Sequence, residues 1–331
     1  MGNLLGTNQD FLQRKFEHED LVKETKSSVK TLVMGMGGGC DVFTAYTLAR
    51  KLHGDLAEGA SETGGAGDIL YANCVSERKM ASDHVTILPN CLYAVPRGAP
   101  RPLQKGENTY GTTLLEQSVP RGAEDSPLLI IVKGHKHVKT EEDLEEMTQE
   151  NVRRMHAAWE RMGVDLILAV DTGGDSLTGG KDYSVSKISG RDQQVLNALR
   201  EYKKQNENFD FIHIVLGPGC DAETSEETMI QEVWRPTDEA ELPWCSGRRY
   251  LGAFKMEDMI KATFEMTGIL EPNRTPNLMY RALMNNEEYH IDRPELDNEE
   301  EGRDLVKIER HNNFEVVPRK WLYHGLAFKY P

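Results

Sequence analysis

Three apolar runs in this chain each end in a turn built from glycine and aspartate, and that repetition limits the folds open to it. The first, Leu32-Val-Met34, passes into Gly35-Met-Gly-Gly-Gly-Cys-Asp41. The second, Val164 to Val170, runs into Asp171-Thr-Gly-Gly-Asp175. The third, Ile212 to Leu216, runs into Gly217-Pro-Gly-Cys-Asp221, so the first and third turns share Gly-x-Gly-Cys-Asp. Behind the first turn, Val42, Ala45, Tyr46, Leu48, Ala49 and Leu52 recur at helical spacing. A strand, a glycine turn and a helix in that order leave free backbone N–H groups at the helix start, facing whatever lies beyond the strand ends.

Between these elbows the same alternation continues. Asp68 to Asn73 and His84 to Leu88 are rich in strand formers, and Leu128-Leu-Ile-Ile-Val132 is a continuous apolar run of the kind buried on both faces of a parallel sheet. Thr140-Glu-Glu-Asp143 carries a capping box, and Leu144, Met147, Val152, Met155, Trp159 and Met162 form an amphipathic stripe read as core. Ser189-Gly-Arg-Asp192 opens a further helix, with Asp192 read as its cap. Strands alternating with helices predict an α/β fold with a doubly wound, mostly parallel Rossmann-like sheet. Residues 1–28 read as an N-terminal helical arm, 29–270 as the Rossmann-like domain, and 271–331 as a C-terminal elaboration packed on the same domain. Within the last third, Met256–Met266 and Pro276–Met284 read as helices, Glu287 to Arg303 as an acidic loop, and Val306–Ile308, Phe314–Val317 and Leu322–Phe328 as short strands. The stretch from Pro96 to Gly122, bearing Arg97, Arg101, Lys105 and Arg121, reads as a long loop that either closes on a site or is simply solvated.

Ligands of open parallel sheets bind beyond the carboxyl ends of the strands. The expected site is therefore an aspartate- and glycine-lined pocket formed by Asp41, Asp171, Asp175 and Asp221 as catalytic candidates. Carboxylates gathered there could accept hydrogen bonds from sugar hydroxyls, serve as general base, or hold Mg²⁺, with Asp171 and Asp175 the metal candidates. Gly37, Gly38, Gly39, Cys40, Gly173, Gly174, Gly217 and Gly219 would line the pocket, and Lys133 and His135, from the basic cluster Lys133-Gly-His-Lys-His137, could meet a substrate phosphate. Each of Asp41, Asp171 and Asp221 is equally well explained alone as a helix cap. Cys40 and Cys220 sit where a helix N-terminus would lower a thiol pKa, but are also small apolar fillers of a tight turn.

Two cofactor fingerprints were compared with the first turn. Gly35-Met-Gly-Gly-Gly39 satisfies the G-x-G-x-G loop of S-adenosylmethionine-dependent methyltransferases. It breaks the dinucleotide pattern G-x-G-x-x-G, because Cys40 stands at the last glycine. Both cofactors also call for an acid closing the second strand, where this chain has Asn73-Cys-Val-Ser76 and no acid before Glu77. The net charge of −15 argues against a nucleic-acid binder. Five scattered cysteines without a C-x-x-C pair suit reduced thiols in the cytoplasm. No window approaches the roughly 18 apolar residues of a membrane span. The opening Met-Gly-Asn-Leu-Leu-Gly-Thr lacks a secretory core, and Gly6 replaces the serine or threonine that would favour acylation at Gly2.

At its elbows the chain resembles the largely archaeal and bacterial proteins grouped as domain of unknown function eleven-fifty-two. The resemblance is carried by Gly37-Gly-Gly-Cys-Asp-Val-Phe-Thr-Ala45, Ala169-Val-Asp-Thr-Gly-Gly-Asp-Ser-Leu177 and Leu216-Gly-Pro-Gly-Cys-Asp221, and spans roughly residues 30 to 260. In that family the central segment continues to Gly-Asp-Glu and Pro-x-x-Asp. Here Gly180-Lys-Asp182 and Ser189-Gly-Arg-Asp192 stand in those places, so the acidic pair is altered and the proline absent. The resemblance implies an α/β fold and no activity. The residues themselves lead to an enzyme acting on a small phosphorylated or ribose-bearing metabolite by hydrolysis or group transfer. The alternatives are a methyltransferase and a non-catalytic ligand-binding or interaction protein; homo-oligomerisation stays open.

Overall fold

In the computed structural model, the described residues are 20, 30–37, 41–59, 68–76, 83–104, 107, 112–119, 126–134, 138, 140–178, 191–220, 229, 248–258, 261, 275, 277, 279–280, 305–310 and 313–331. Continuous apolar runs become the central strands β1 (Lys30–Gly35), β5 (Leu128–Val132), β6 (Leu166–Thr172) and β7 (Asp210–Leu216), each buried along nearly its whole length. Asp68–Ser76 forms β2, which begins exposed and ends buried. Short strands β3 (Val85–Leu88) and β4 (Leu92–Ala94) precede β5. Arg249–Lys255 is β8, Leu305–Arg310 is β9, Asn313–Pro318 is β10 and His324–Lys329 is β11. The helices are α1 (Asp41–Gly59), α2 (Leu114–Ser118), α3 (Glu141–Met162), α4 (Asp175–Thr178), α5 (Arg191–Gln205) and α6 (Arg319–Leu322).

Nine strands form one sheet in the order β3-β4-β5-β2-β1-β6-β7-β11-β8, and β9 and β10 pair apart as an antiparallel hairpin. β5, β2, β1, β6 and β7 run parallel. The edges reverse: β4 is antiparallel to β5, and β11 lies antiparallel between β7 and β8. The expected α/β fold with a mostly parallel centre is thus present, with reversed strands on both flanks.

The chain winds from β1 outward to β2 and β5, then crosses back to β6 and proceeds to β7. With right-handed crossovers this places α1 on one face and α3 and α5 on the other. In agreement, α1 packs on β1, β2 and β6, while α3 packs against α5 and β5. The reversal in winding direction falls between β1 and β6, and there the carboxyl ends of neighbouring strands diverge to open a crevice.

Local signals explain the helices. Val42, Phe43, Ala45, Leu48, Ala49 and Leu52 are buried on α1. The capping box of α3 forms as read, with Thr140 Oγ1 accepting from Asp143 N–H (3.1 Å) and Asp143 Oδ2 accepting from Thr140 N–H (2.9 Å). Its stripe is core: Met147, Val152, Met155 and Trp159 are buried. The arm expected over residues 1–28 lies outside the described residues except for Asp20, as do the acidic loop at 287–303 and most of the two helices expected from 256 to 284. No helix among the described residues is long and apolar enough to cross a membrane.

Candidate functional site

The end of β1 sets the geometry. Gly35 lies in register with Val170 of β6 on one side and Asn73 of β2 on the other. Past it, Met36 N–H still bonds to Val170 O (2.9 Å), holding the departing chain against β6. Gly37 then takes a φ of +106°, and a Cβ there would overlap the Cys74 carbonyl oxygen of β2. The turn can hug the sheet this closely only because the residue is glycine. Arg191 at the start of α5 donates through Nη1 to Gly37 O (2.5 Å), tying that helix to the turn.

Three carboxylates converge beside this turn. Asp41 opens α1, Asp171 lies near the end of β6 and Asp192 lies in the first turn of α5. All three are buried, and one oxygen from each lies within 4.8 Å of the others. Asp41 accepts from Gly37 N–H (3.1 Å, Oδ2) and from Thr172 N–H (3.2 Å, Oδ1), so its side chain bridges the β1 turn to the end of β6. Thr44 Oγ1, 2.9 Å from Thr172 Oγ1, makes a second link between α1 and β6. Burial raises the Asp41 pKa well above the usual carboxylate value. The charges of Asp192 and Asp171 push it further, against the hydrogen bonds from Thr172 and Gly37.

Asp171 leads into a buried polar chain. Its Oδ2 accepts from Ser176 N–H (3.2 Å) and from the Ser176 hydroxyl. Ser176 Oγ is 2.9 Å from His213 Nε2, and His213 Nδ1 is 3.1 Å from the Tyr330 hydroxyl. Because Asp171 accepts the Ser176 proton, Ser176 accepts from Nε2–H and leaves Nδ1 to accept from Tyr330. His213 is fully buried on β7; burial, then the charges of Arg248 and Arg200, lower its pKa to about 3, so it stays neutral.

The second and third elbows are knitted to each other. Gly173 N–H donates to Leu216 O (2.9 Å), Gly219 N–H to Gly173 O (2.6 Å) and Gly217 N–H to His324 O (3.0 Å). These backbone donors, with that of Gly37, are engaged within the protein. Gly174, with φ of +108°, packs beneath Met229. Cys220 is buried in the hydrophobic core.

Asp41 and Asp171 therefore meet, while Asp175 is buried at the start of α4 outside the group of three carboxylates. Asp221, Gly38, Gly39, Cys40 and His135 lie outside the described residues. Lys133 directly follows β5, which lies two strands from β1, about 10 Å at normal strand spacing. Its backbone is bracketed by the buried Asn151, whose Oδ1 accepts Lys133 N–H (2.7 Å).

The sequence reads Asp192 as a cap and gives no role to Ser176, His213 and Tyr330. For Asp192 a signal is present, an acid at a helix start after the second aspartate elbow. The others have none, since His213 lies 37 residues from Ser176 and 117 from Tyr330.

No curated protein and no solved structure matches this chain. One protein-family model does, and its match takes in β5, β6, β7, Asp171 and Asp192 but begins after Asp41. That family is described as "Protein of unknown function (DUF1152)", and over residues 100–263 this chain carries a domain of it.

Proposed function

We propose that this protein is a cytoplasmic α/β enzyme that binds a small phosphorylated or ribose-bearing metabolite at the carboxyl end of its sheet and catalyses hydrolysis or group transfer. The observation that carries this reading is the convergence of Asp41, Asp171 and Asp192 on the crevice between β1 and β6, the point where such sheets bind ligands. Structural caps alone give no reason to bring three buried acids from separate elements together, since like charges at that spacing destabilise one another. Asp41, with its pKa raised by burial and by the neighbouring acids, suits a proton acceptor or donor. Asp171, fixed by Ser176, suits the recognition of a hydroxyl.

A methyltransferase is the second reading, and the glycine loop Gly35-Met-Gly-Gly-Gly39 at the end of β1 favours it. Against it, β2 presents Asn73 rather than an acid to the site, and residues 77–82 lie outside the described residues.

Thermal-shift screening against nucleotides, sugar phosphates and S-adenosylmethionine separates the two. The leading reading expects stabilisation by a phosphorylated or ribosyl compound that is lost in Asp171→Asn. Stabilisation by S-adenosylmethionine alone would transfer the argument to the second reading.

A further inference from the structure

The acid cluster has an uncommitted neighbour. Asn73 on β2 is buried, and its Nδ2 donates to Glu116 Oε1 at 2.6 Å. That contact fixes the amide orientation, because only the nitrogen can face a carboxylate oxygen. The amide oxygen, Oδ1, is therefore turned the other way, where it is buried and accepts no hydrogen bond from the described residues. A Cβ built on Gly35 would lie 2.5 Å from this oxygen and 2.9 Å from Asp41 Cβ. Asn73 Oδ1 and Asp41 thus flank the same point at the end of β1, with no side chain between them. A buried acceptor with no donor carries a desolvation cost of about 1–3 kcal/mol, so its persistence calls for a ligand.

Resting on the reading that this crevice is the ligand site, we propose that Asp41, Asp171 and Asp192 hold a hard divalent cation of the Mg²⁺ or Ca²⁺ class. Asn73 Oδ1 supplies a neutral oxygen to the same ion or to a water bound on it. The donor set is all oxygen, which selects hard cations over zinc or copper. The group of convergent ligand atoms contains no cysteine sulfur or histidine nitrogen among the described residues. The spacing suits one ion. Trans oxygens of a Ca²⁺ shell with bonds of about 2.4 Å lie about 4.8 Å apart, and those of Mg²⁺ about 4.2 Å. The trans distance is the largest separation two oxygens on one ion can have, and the three carboxylate oxygens, all within 4.8 Å of one another, stay within that limit for Ca²⁺. A cation between the acids would also offset their mutual repulsion. The arrangement differs from the one expected from sequence, because Asp192 and Asp41 stand with Asp171 in place of Asp175.

The test uses the full chain, stripped with a chelator and titrated calorimetrically with Mg²⁺, Ca²⁺ and Mn²⁺ separately, with no metabolite present. We expect saturable binding of one ion per chain, abolished in Asp192→Asn and weakened about tenfold or more in Asn73→Ala. Asp192→Asn is the informative variant: it leaves in place Asp41 and Asp171, whose hydrogen bonds tie the elements together, and its fold is checked by its melting transition. Mn²⁺ binding can be read independently by electron paramagnetic resonance. Absence of binding by all three ions at millimolar concentration, or equal binding by folded Asp192→Asn, would overturn the site. Metabolite binding by the chelated protein without ion binding would overturn the cation site alone and leave the pocket standing. Ion binding by a protein that, loaded with the ion, binds none of the nucleotides and sugar phosphates screened would support the cation site and count against the metabolite reading.

Discussion

Replacing His213 tests the buried chain that supports Asp171. In the folded protein its imidazole pKa falls from 6.5 to about 3, through burial and then through Arg248 and Arg200. In the unfolded chain it titrates near 6.5. As the pH falls below that value, the unfolded state takes up a proton that the folded state refuses until about pH 3. The contribution to stability is therefore complete above pH 6.5 and is lost on acidification, at about 1.4 kcal/mol per pH unit. Between pH 6.5 and pH 5 this comes to about 2 kcal/mol. Asp41 acts in the opposite sense. Its raised pKa makes its burial costly above the unfolded carboxylate range, and that cost is relieved as the pH falls. Because Asp41 is present in both proteins, its effect cancels when wild type is compared with His213→Asn. Urea unfolding at pH 7.5 and pH 5.0, at constant ionic strength, should show the variant losing about 2 kcal/mol less than wild type. Parallel losses would refute the assignment of a neutral, buried His213. Nitrogen chemical shifts of the wild-type imidazole at pH 5 give the same answer without a variant, and a protonated ring there would be equally damaging.

Other substitutions probe the links between elements. Gly37→Ala imposes a left-handed residue with a side chain against the Cys74 carbonyl, so a loss of at least about 2 kcal/mol is expected, measured by denaturant unfolding. Ser176→Ala removes a donor to Asp171 and leaves His213 Nε2–H without an acceptor in a buried site. This should cost about 1–3 kcal/mol and shift the imidazole tautomer signals, whereas a purely packing role for Ser176 would leave those signals unmoved.

The strands that sequence reading located best are those whose burial is complete on both faces. Leu128–Val132 is apolar throughout, and Asp210–Leu216 apart from Asp210 and His213, because they lie inside the parallel sheet. The capping box at Thr140 was legible for a different reason, being formed within four consecutive residues. β4 and β8 were not. Leu92–Ala94 is too short for periodicity to register, and Arg249–Lys255 begins and ends in exposed charge around a glycine. In the site, Asp41 and Asp171 stand out because each belongs to a glycine turn that ends an apolar run. Asp192 does not, because capping explains an acid at a helix start without reference to the rest of the chain. Only the crossing from β5 back to β6, and the tie from Arg191 to Gly37, bring the start of α5 beside the first elbow. Asn73 carried a misleading signal. It counted against cofactor binding because it was not an acid, whereas its place opposite Gly35 is visible only from the strand register.

The claim that most needs testing is that Asp41, Asp171 and Asp192 line one pocket for a small polar metabolite. Ligand-observed saturation-transfer NMR on wild type and Asp171→Asn, with a panel of phosphorylated and ribose-bearing compounds plus S-adenosylmethionine, addresses it directly. The account predicts a phosphorylated or ribosyl ligand whose signal is strong with wild type and absent with the folded variant. Ligands that bind both proteins equally, or a panel in which only S-adenosylmethionine binds, would contradict it.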